Sequence, residues 1–179
     1  MQTTTSADDV VQFWQQAGAK RWFAKDDAFD AQFRDRFHEA HNAAARRELD
    51  YWAQNATGSL ALIILLDQFP RNSYRGTAHM YATDGLARHF ARRALDAGHD
   101  AEIDAALRGF CYLPFMHSED AADQDLSLRL QQQLGPNEFA VSHRNIVRRF
   151  GRFPHRNHLL GRETTPEEAA FLQEGGFSG

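Results

Sequence analysis

The chain has 179 residues, 42% hydrophobic and 25% charged, so we expect a domain of ordinary size with a buried core. Its formal net charge of -4 gives no overall positive field and argues against nucleic acid as a partner. The longest strongly apolar run, 60–66, is too short to span a bilayer. Cys111 is the only cysteine, which excludes internal disulfides, and 1–9 lacks the features of a secretory signal. These features together predict a cytoplasmic protein without a membrane span.

Apolar residues recur at helical spacing, and the first two helices carry clear signals. Ser6 and Asp9 form a capping-box pattern that predicts a helix through about Gln16. A second helix is predicted from about Asp27 to Arg47. Its inner face carries aromatic side chains four residues apart: Phe29, Phe33 and Phe37.

The middle of the chain predicts a buried helix and two amphipathic ones. The run 60–66 is apolar on every side, which predicts a central helix that ends at Pro70. The next helix is predicted from about Thr77 to Ala97, and a further one carries Ile103 to Cys111 and is broken by Pro114.

Three more helices complete the predicted all-α fold. Ser118 is the predicted N-cap of a helix lined by apolar side chains, namely Ala122, Leu126, Leu130 and Leu134. A helix over Glu138 to Phe150 follows, and Thr165 with Glu168 predicts a capping box for the last one. We expect antiparallel helices stacked in one domain over 1–179, with frayed tails at about 1–6 and 175–179.

The first of three unusual polar segments runs from Asp67 to Asn72, with Arg75 beyond it. Asp67 follows seven apolar residues, and an acid at the end of a buried helix opposes the helix dipole unless a cation pairs with it. Arg71 is the natural partner. The pair could belong to a functional site or could be a structural ion pair that fixes a loop.

The second segment surrounds His117 and Glu119, with Gln124 one helical turn further on. A histidine beside carboxylates before a helix suits a general base or a metal ligand, and it equally suits a simple capping arrangement. The spacing of two residues differs from the one-face spacing of helical zinc motifs, so no metal ligand set is assigned.

The third segment, Phe139–Arg162, contains six arginines and three histidines but no acid. Such a basic block could clamp a phosphate or a carboxylate. Its arginines could instead pair with the acidic stretch from Glu119 to Asp125. We expect the three polar segments to meet in space.

These motifs together resemble a bacterial domain-of-unknown-function family, number 924, over about Val10 to Leu172. The resemblance is carried by Trp22-Phe23, Asp30, Leu65 to Asn72, Arg75-Gly76, Asp84, Leu113 to Phe115, His117 to Asp120, Gln124, His143, Phe150 to Asn157, Leu160 to Arg162 and Thr165 to Glu168. The helix around Phe13-Trp14 departs from the family pattern because Gln15-Gln16 follows it. The resemblance implies an all-α, tetratricopeptide-like superhelix and implies no activity.

Three hypotheses about function follow from the residues. The first is a binding module whose groove holds an anionic small molecule or an acidic peptide. Its candidate ligand-binding residues are Gln68, Arg71, Asn72, Arg75, Gln124, His143, Arg152, His155, Arg156, Asn157 and Arg162. The second is an enzyme that uses acid–base or metal-assisted hydrolysis, with catalytic His117, Glu119 and Asp67. The third is a structural role, in which the motifs hold the helices in register. The sequence assigns no cofactor and no oligomeric state.

Overall fold

The computed structural model describes residues 5–178, which form α-helices and turns and no β-strand. The chain is therefore all-α, as predicted. It folds as two compact units. Unit 1 comprises Met1–Arg75 and His79–Pro114, and unit 2 comprises Gly76–Ala78 and Phe115–Gly179. A single domain over 1–179 stays a prediction.

The first helices of unit 1 follow the predicted caps closely. They are α1 (Ala7–Ala17), α2 (Ala19–Trp22) and α3 (Asp27–Ala45). The capping box between Ser6 and Asp9 is present. All three side chains of the predicted phenylalanine stripe are buried, and Trp14 packs against Phe33 with ring centroids 5.3 Å apart. Helix α3 ends two residues earlier than predicted, and Arg47 just beyond it takes a left-handed φ of 66° that no helix interior allows.

The prediction that Pro70 ends the central helix is wrong. The chain runs on through three helical pieces, which are α4 (Ala56–Ile63), a π-helical turn (Ile64–Gln68) and α5 (Phe69–Ser73). Within the π turn the N–H of Phe69 donates to the carbonyl of Ile64, five residues back. This widening accommodates the missing N–H of Pro70. The carbonyl of Leu66, four residues before the proline, accepts from the Thr83 hydroxyl at 2.6 Å instead.

The remaining helices of this region are shorter than predicted. They are α6 (Asp84–Asp96), α7 (His99–Glu102), α8 (Ala105–Arg108) and α9 (Leu113–Met116), with 3₁₀ turns at Asp50–Gln54, Ala78–Tyr81 and Gly109–Cys111. Helix α6 starts seven residues after the predicted Thr77. Pro114 does not break a helix, because it lies in the first turn of α9, where a helix requires no N–H donor.

Unit 2 is built on two helices and a short third one. They are α10 (Ala121–Leu134), α11 (Glu138–Phe150) and α12 (Pro166–Gln173). The bounds of α11 and the capping box between Thr165 and Glu168 are as predicted. A hydrophobic core forms around Ile146, Val147 and Phe153. Partly buried aromatic side chains pack against this core: Phe150, Phe171 and Phe177.

Two predictions for α10 are wrong. Asp120, not Ser118, is the N-cap, because its carboxylate accepts from the backbone N–H groups of the first turn. The buried side chains are polar ones, Asp123, Gln124, Ser127 and Gln131, whereas Leu134 is exposed. Polar side chains can occupy the buried face of α10 because they form hydrogen bonds there. The Ser118 hydroxyl donates to Asp123 at 2.8 Å, and the Gln124 amide donates to two carbonyl oxygens.

Candidate functional site

The first polar segment forms an ion network within unit 1, centred on Arg71. Its guanidinium lies 3.2 Å from the carboxylate of Asp67, which has no exposed surface, and donates two hydrogen bonds to Asp84 at 2.7 and 3.0 Å. Gln68 also donates to Asp67 at 2.6 Å. Burial acts to lower the pKa of Arg71, but the charges of Asp67 and Asp84 outweigh it and raise the pKa. Arg71 is therefore a permanent cation held by two carboxylates, as the position of Asp67 predicts.

The other polar side chains of this segment converge on Asp30 of α3. Asn72 donates to the buried Asp30 carboxylate at 2.7 Å, and the Nε of Arg75 donates to it at 2.6 Å. These contacts join α3 to α5. Asp30 and Asp84 are not among the predicted site residues. Asp30 could have been found from the sequence, because an acid beside the buried phenylalanines of α3 requires a cationic partner.

In unit 2, Glu119 lies in a cradle of three N–H donors. Arg162 donates to both oxygens of the Glu119 carboxylate, at 2.7 and 2.9 Å, and the backbone N–H of Phe153 donates at 2.8 Å. Burial acts to raise the Glu119 pKa, but the hydrogen bonds and the charges of Arg162 and Arg156 keep it below its usual value. The side chains of Glu119 and Arg162 remain 28% and 22% exposed. The cradle is thus a carboxylate-binding arrangement at a surface that solvent reaches.

A second ion pair continues the network from the cradle. The Nε of Arg162 donates to the Asn157 amide oxygen at 2.9 Å, and Asn157 donates to Glu168 at 3.1 Å. Arg152 binds both oxygens of Glu168, at 2.6 and 2.8 Å, and the backbone N–H of Thr165 also donates to it. The side-chain hydrogen bond from Arg152 lowers the Glu168 pKa, and the hydrogen bond from the backbone N–H of Thr165 lowers it further, giving a pKa of about 2. Buried Asn157 and Glu168 therefore tie α12 to the segment that follows α11.

A cluster of rings packs around the Phe153 side chain. Its ring is 5.3 Å from His143 and 5.7 Å from His155, measured between centroids, and Phe177 lies 4.5 and 5.1 Å from the same two histidines. The guanidinium of Arg156 lies over Phe153 at 4.5 Å. Burial, followed by the charges of Arg156 and His143, lowers the His155 pKa to about 4, so this imidazole is neutral at pH 7.

The remaining candidates of the second segment lie between α9 and α10. His117 is half-buried in the turn after α9. The Gln124 amide donates to the carbonyl oxygens of Met116 and Ser118 at 2.7 and 2.6 Å, which holds this turn against α10. Cys111 is buried, and burial followed by the charge of Asp100 raises its thiol pKa to about 12, which suits a core side chain rather than a nucleophile.

The structure brings the second and third polar segments together, because Glu119 contacts Arg162 and Phe153. The first segment lies in unit 1, and its meeting with the other two stays a prediction. Among residues 5–178, no set of three or more His, Cys, Asp or Glu side chains is arranged to hold a metal ion. No helix in the described part of the chain has the length and apolarity to cross a membrane.

Comparisons with known proteins give a family and a fold. Residues 10–176 match the family model described as bacterial protein of unknown function (DUF924). A solved structure of a protein of unknown function from Agrobacterium tumefaciens is 59% identical, with a TM-score of 0.91 over 94% of this chain and 97% of that one. No curated protein matches the chain significantly.

Proposed function

This chain belongs to the bacterial DUF924 family, and we propose that it is a binding module for carboxylate-bearing ligands, an anionic small molecule or an acidic peptide. The observation that carries the proposal is the cradle formed by Arg162 and the Phe153 N–H, which already holds a carboxylate with three hydrogen bonds. A ligand carboxylate can use the same donors, because a forked guanidinium and a backbone N–H recognise the group and not the chain that bears it.

Glu119 acts in this proposal as an internal stand-in for the ligand. It lies in a stretch of four residues, 117–120, that is not helical, so its side chain can leave without unwinding a helix. Its carboxylate is surrounded by the charges of two arginines, Arg162 and Arg156. A ligand with two or three carboxylates therefore fits the local charge better than Glu119 alone does.

The other motif residues support the site and do not bind the ligand directly in this proposal. Arg152 and Asn157 are held by Glu168, and they fix the segment that presents Arg162. The unit 1 residues Gln68, Arg71, Asn72 and Arg75 are engaged by the carboxylates of Asp30, Asp67 and Asp84. This internal pairing supports the structural hypothesis for the first segment.

The enzyme hypothesis is less well supported. Acid–base catalysis by Glu119 needs a carboxyl group that exchanges a proton near neutral pH, and Arg162 holds this one in its charged form. His155 is a weak base, because its pKa is lowered to about 4. We also propose that the protein is cytoplasmic, because a single cysteine suits a reducing compartment.

Thermal denaturation with and without citrate at constant ionic strength tests the proposed function. Citrate should raise the melting temperature of the native protein by mass action, and Arg162→Ala should abolish the rise. Arg149→Ala is the matched control, because Arg149 also belongs to unit 2 but pairs with the exposed Glu167 outside the cradle. An equal rise in all three proteins would show non-specific ion effects and overturn the proposal.

A further inference from the structure

The last aromatic side chain of the sequence, Phe177, packs against two histidines of unit 2. The Phe177 ring contacts His143 and His155, and these two rings also contact Phe153. Phe177 belongs to the partly buried side chains that pack on the unit 2 core. The three side chains below it, His143, Phe153 and His155, define what we call the ring pocket.

The segment that carries Phe177 is held by a close approach at Gly176. The Gly176 N–H donates to the Phe171 carbonyl at 2.9 Å. A Cβ at Gly176 would lie 2.5 Å from that carbonyl oxygen and 2.6 Å from the Phe171 ring, so only glycine fits this crossing. Gly175 beside it has a left-handed φ of 84°. The left-handed Gly175 and the close crossing at Gly176 therefore turn the chain so that Phe177 lies on the ring pocket.

The ring pocket and the carboxylate cradle share Phe153. Its N–H donates to Glu119, its carbonyl accepts from Arg162 at 3.0 Å, and its ring forms one wall of the pocket. The pocket is also next to cationic groups, because Arg156 lies over the same ring at 4.5 Å. An aromatic group and a carboxylate of one ligand can thus be bound by adjacent parts of unit 2.

A further feature shows that Phe177 does not satisfy every group of the pocket. The Nδ1 of His155 is buried and has no hydrogen-bond partner among the described residues. A buried polar atom without a partner costs free energy, and the resident segment leaves this one unpaired. A peptide that is not tethered to α12 can place a backbone N–H or C=O group against it while its aromatic side chain fills the pocket.

We infer that the ring pocket binds an aromatic side chain of an acidic peptide, and that Phe177 fills it as an internal competitor in this structure. The inference rests on the proposed function for the acidic part of the ligand, which binds at Arg162. The glycines at 175 and 176 allow the segment to leave without disturbing α12, which ends at Gln173.

The test uses the chain's own 174–179 sequence, Glu-Gly-Gly-Phe-Ser-Gly, as a labelled peptide with blocked ends. Phe177→Ala empties the pocket, and Gly176→Ala displaces the segment while every pocket side chain stays intact. Both full-length variants should bind the peptide at least tenfold more tightly than the native protein, as measured by fluorescence anisotropy. Phe139→Ala is the matched control, because Phe139 lies on α11 and is 69% exposed, and it should leave the affinity unchanged.

Two further arms separate the inference from the proposed function. Replacing the phenylalanine of the peptide by alanine should abolish binding to both variants. Equal binding by native protein and both variants would overturn the ring pocket, even where citrate still binds at Arg162. Adding Arg162→Ala to Phe177→Ala should weaken peptide binding at least fivefold. Binding that keeps its phenylalanine dependence but ignores Arg162 would support the pocket and contradict the carboxylate cradle.

Discussion

Arg162 and Glu119 lie 43 positions apart in the sequence, yet two N–H groups of the guanidinium reach both oxygens of the carboxylate, at 2.7 and 2.9 Å. The pair connects the turn before α10 to the segment that follows α11. It is a structural clamp within unit 2 and, in our proposal, a preformed arrangement for a ligand carboxylate. Substitutions at the pair and in the networks around it can separate these two roles.

Removing the Arg162 guanidinium should destabilise the protein as well as remove the proposed binding site. Arg162→Ala leaves the Glu119 carboxylate half-buried without its cation, and it also deprives Asn157 of a donor. We expect a loss of about 2 kcal/mol in the free energy of unfolding, measured by urea denaturation. Arg149→Ala should cost about 1 kcal/mol or less, because its pair with Glu167 is more than half exposed and its guanidinium otherwise lies over the Phe150 and Phe171 rings. Equal losses would contradict a special role for the Glu119 pair.

Asp67 should be the most sensitive acid of unit 1. It has no exposed surface, and Asp67→Ala leaves the buried Arg71 with one carboxylate instead of two. The expected loss is roughly 3 kcal/mol or more in the same measurement. Asp35→Ala serves as the control, because Asp35 is 78% exposed. A loss for Asp67→Ala within the surface range, below about half a kcal/mol, would reject the buried pair.

The acid limb of the stability profile should report on Glu168. Its pKa of about 2 in the folded protein lies below the ordinary value of 4.5. The unfolded chain therefore binds more protons between these values, so the contribution of Glu168 is complete above about pH 4.5 and is lost as the pH falls toward 2. Glu168→Gln should flatten this limb by up to about 1.4 kcal/mol per pH unit. Glu167→Gln is the control, because Glu167 is exposed, and it should leave the pH dependence of stability unchanged. An unchanged pH dependence in Glu168→Gln would refute the lowered pKa of Glu168.

Two helical glycines should respond to alanine with opposite signs. A Cβ at Gly58 in α4 would lie 1.9 Å from the Trp52 carbonyl oxygen, so Gly58→Ala forces the backbone apart and should cost about 3 kcal/mol. Nothing lies within 4 Å of a Cβ at Gly85 in α6, so Gly85→Ala should stabilise by about 0.5 kcal/mol. Thermal melts of both variants check this, and a neutral Gly58→Ala would disprove the close contact between α4 and the turn at Trp52.

Local signals in the sequence predict local structure well here. The capping boxes at Ser6 and Thr165 and the bounds of α11 depend on residues within one or two helical turns, and all are confirmed. Pro70 shows where a local rule fails. The proline is tolerated because Thr83, far along the chain, satisfies the carbonyl that the missing N–H leaves open. No local pattern carries that information.

The sequence predicts the pairing of Arg71 with Asp67, and it offers the pairing of Arg162 with Glu119 as one alternative, but other partners of the arginines were beyond it for the same reason. Arg75 and Asp30 are 45 residues apart, and Arg152 and Glu168 are 16 apart, so their pairing depends on how the helices pack. The polar inner face of α10 was missed because leucine spacing suggested the opposite face. The sequence does identify the three polar segments in which the ion pairs lie. The acid-free stretch and the isolated acids show where charges have to be paired.

Titration calorimetry with citrate on Glu119→Ala measures the central claim most directly. If Glu119 is an internal stand-in for a ligand carboxylate, its removal frees the cradle, and citrate should bind at least tenfold more tightly than to the native protein. The matched variant Glu167→Ala also removes a carboxylate that faces a unit 2 arginine, but outside the cradle, and should show the native affinity. An unchanged affinity in Glu119→Ala, or an equal gain in Glu167→Ala, would show that the cradle serves only to hold the fold together.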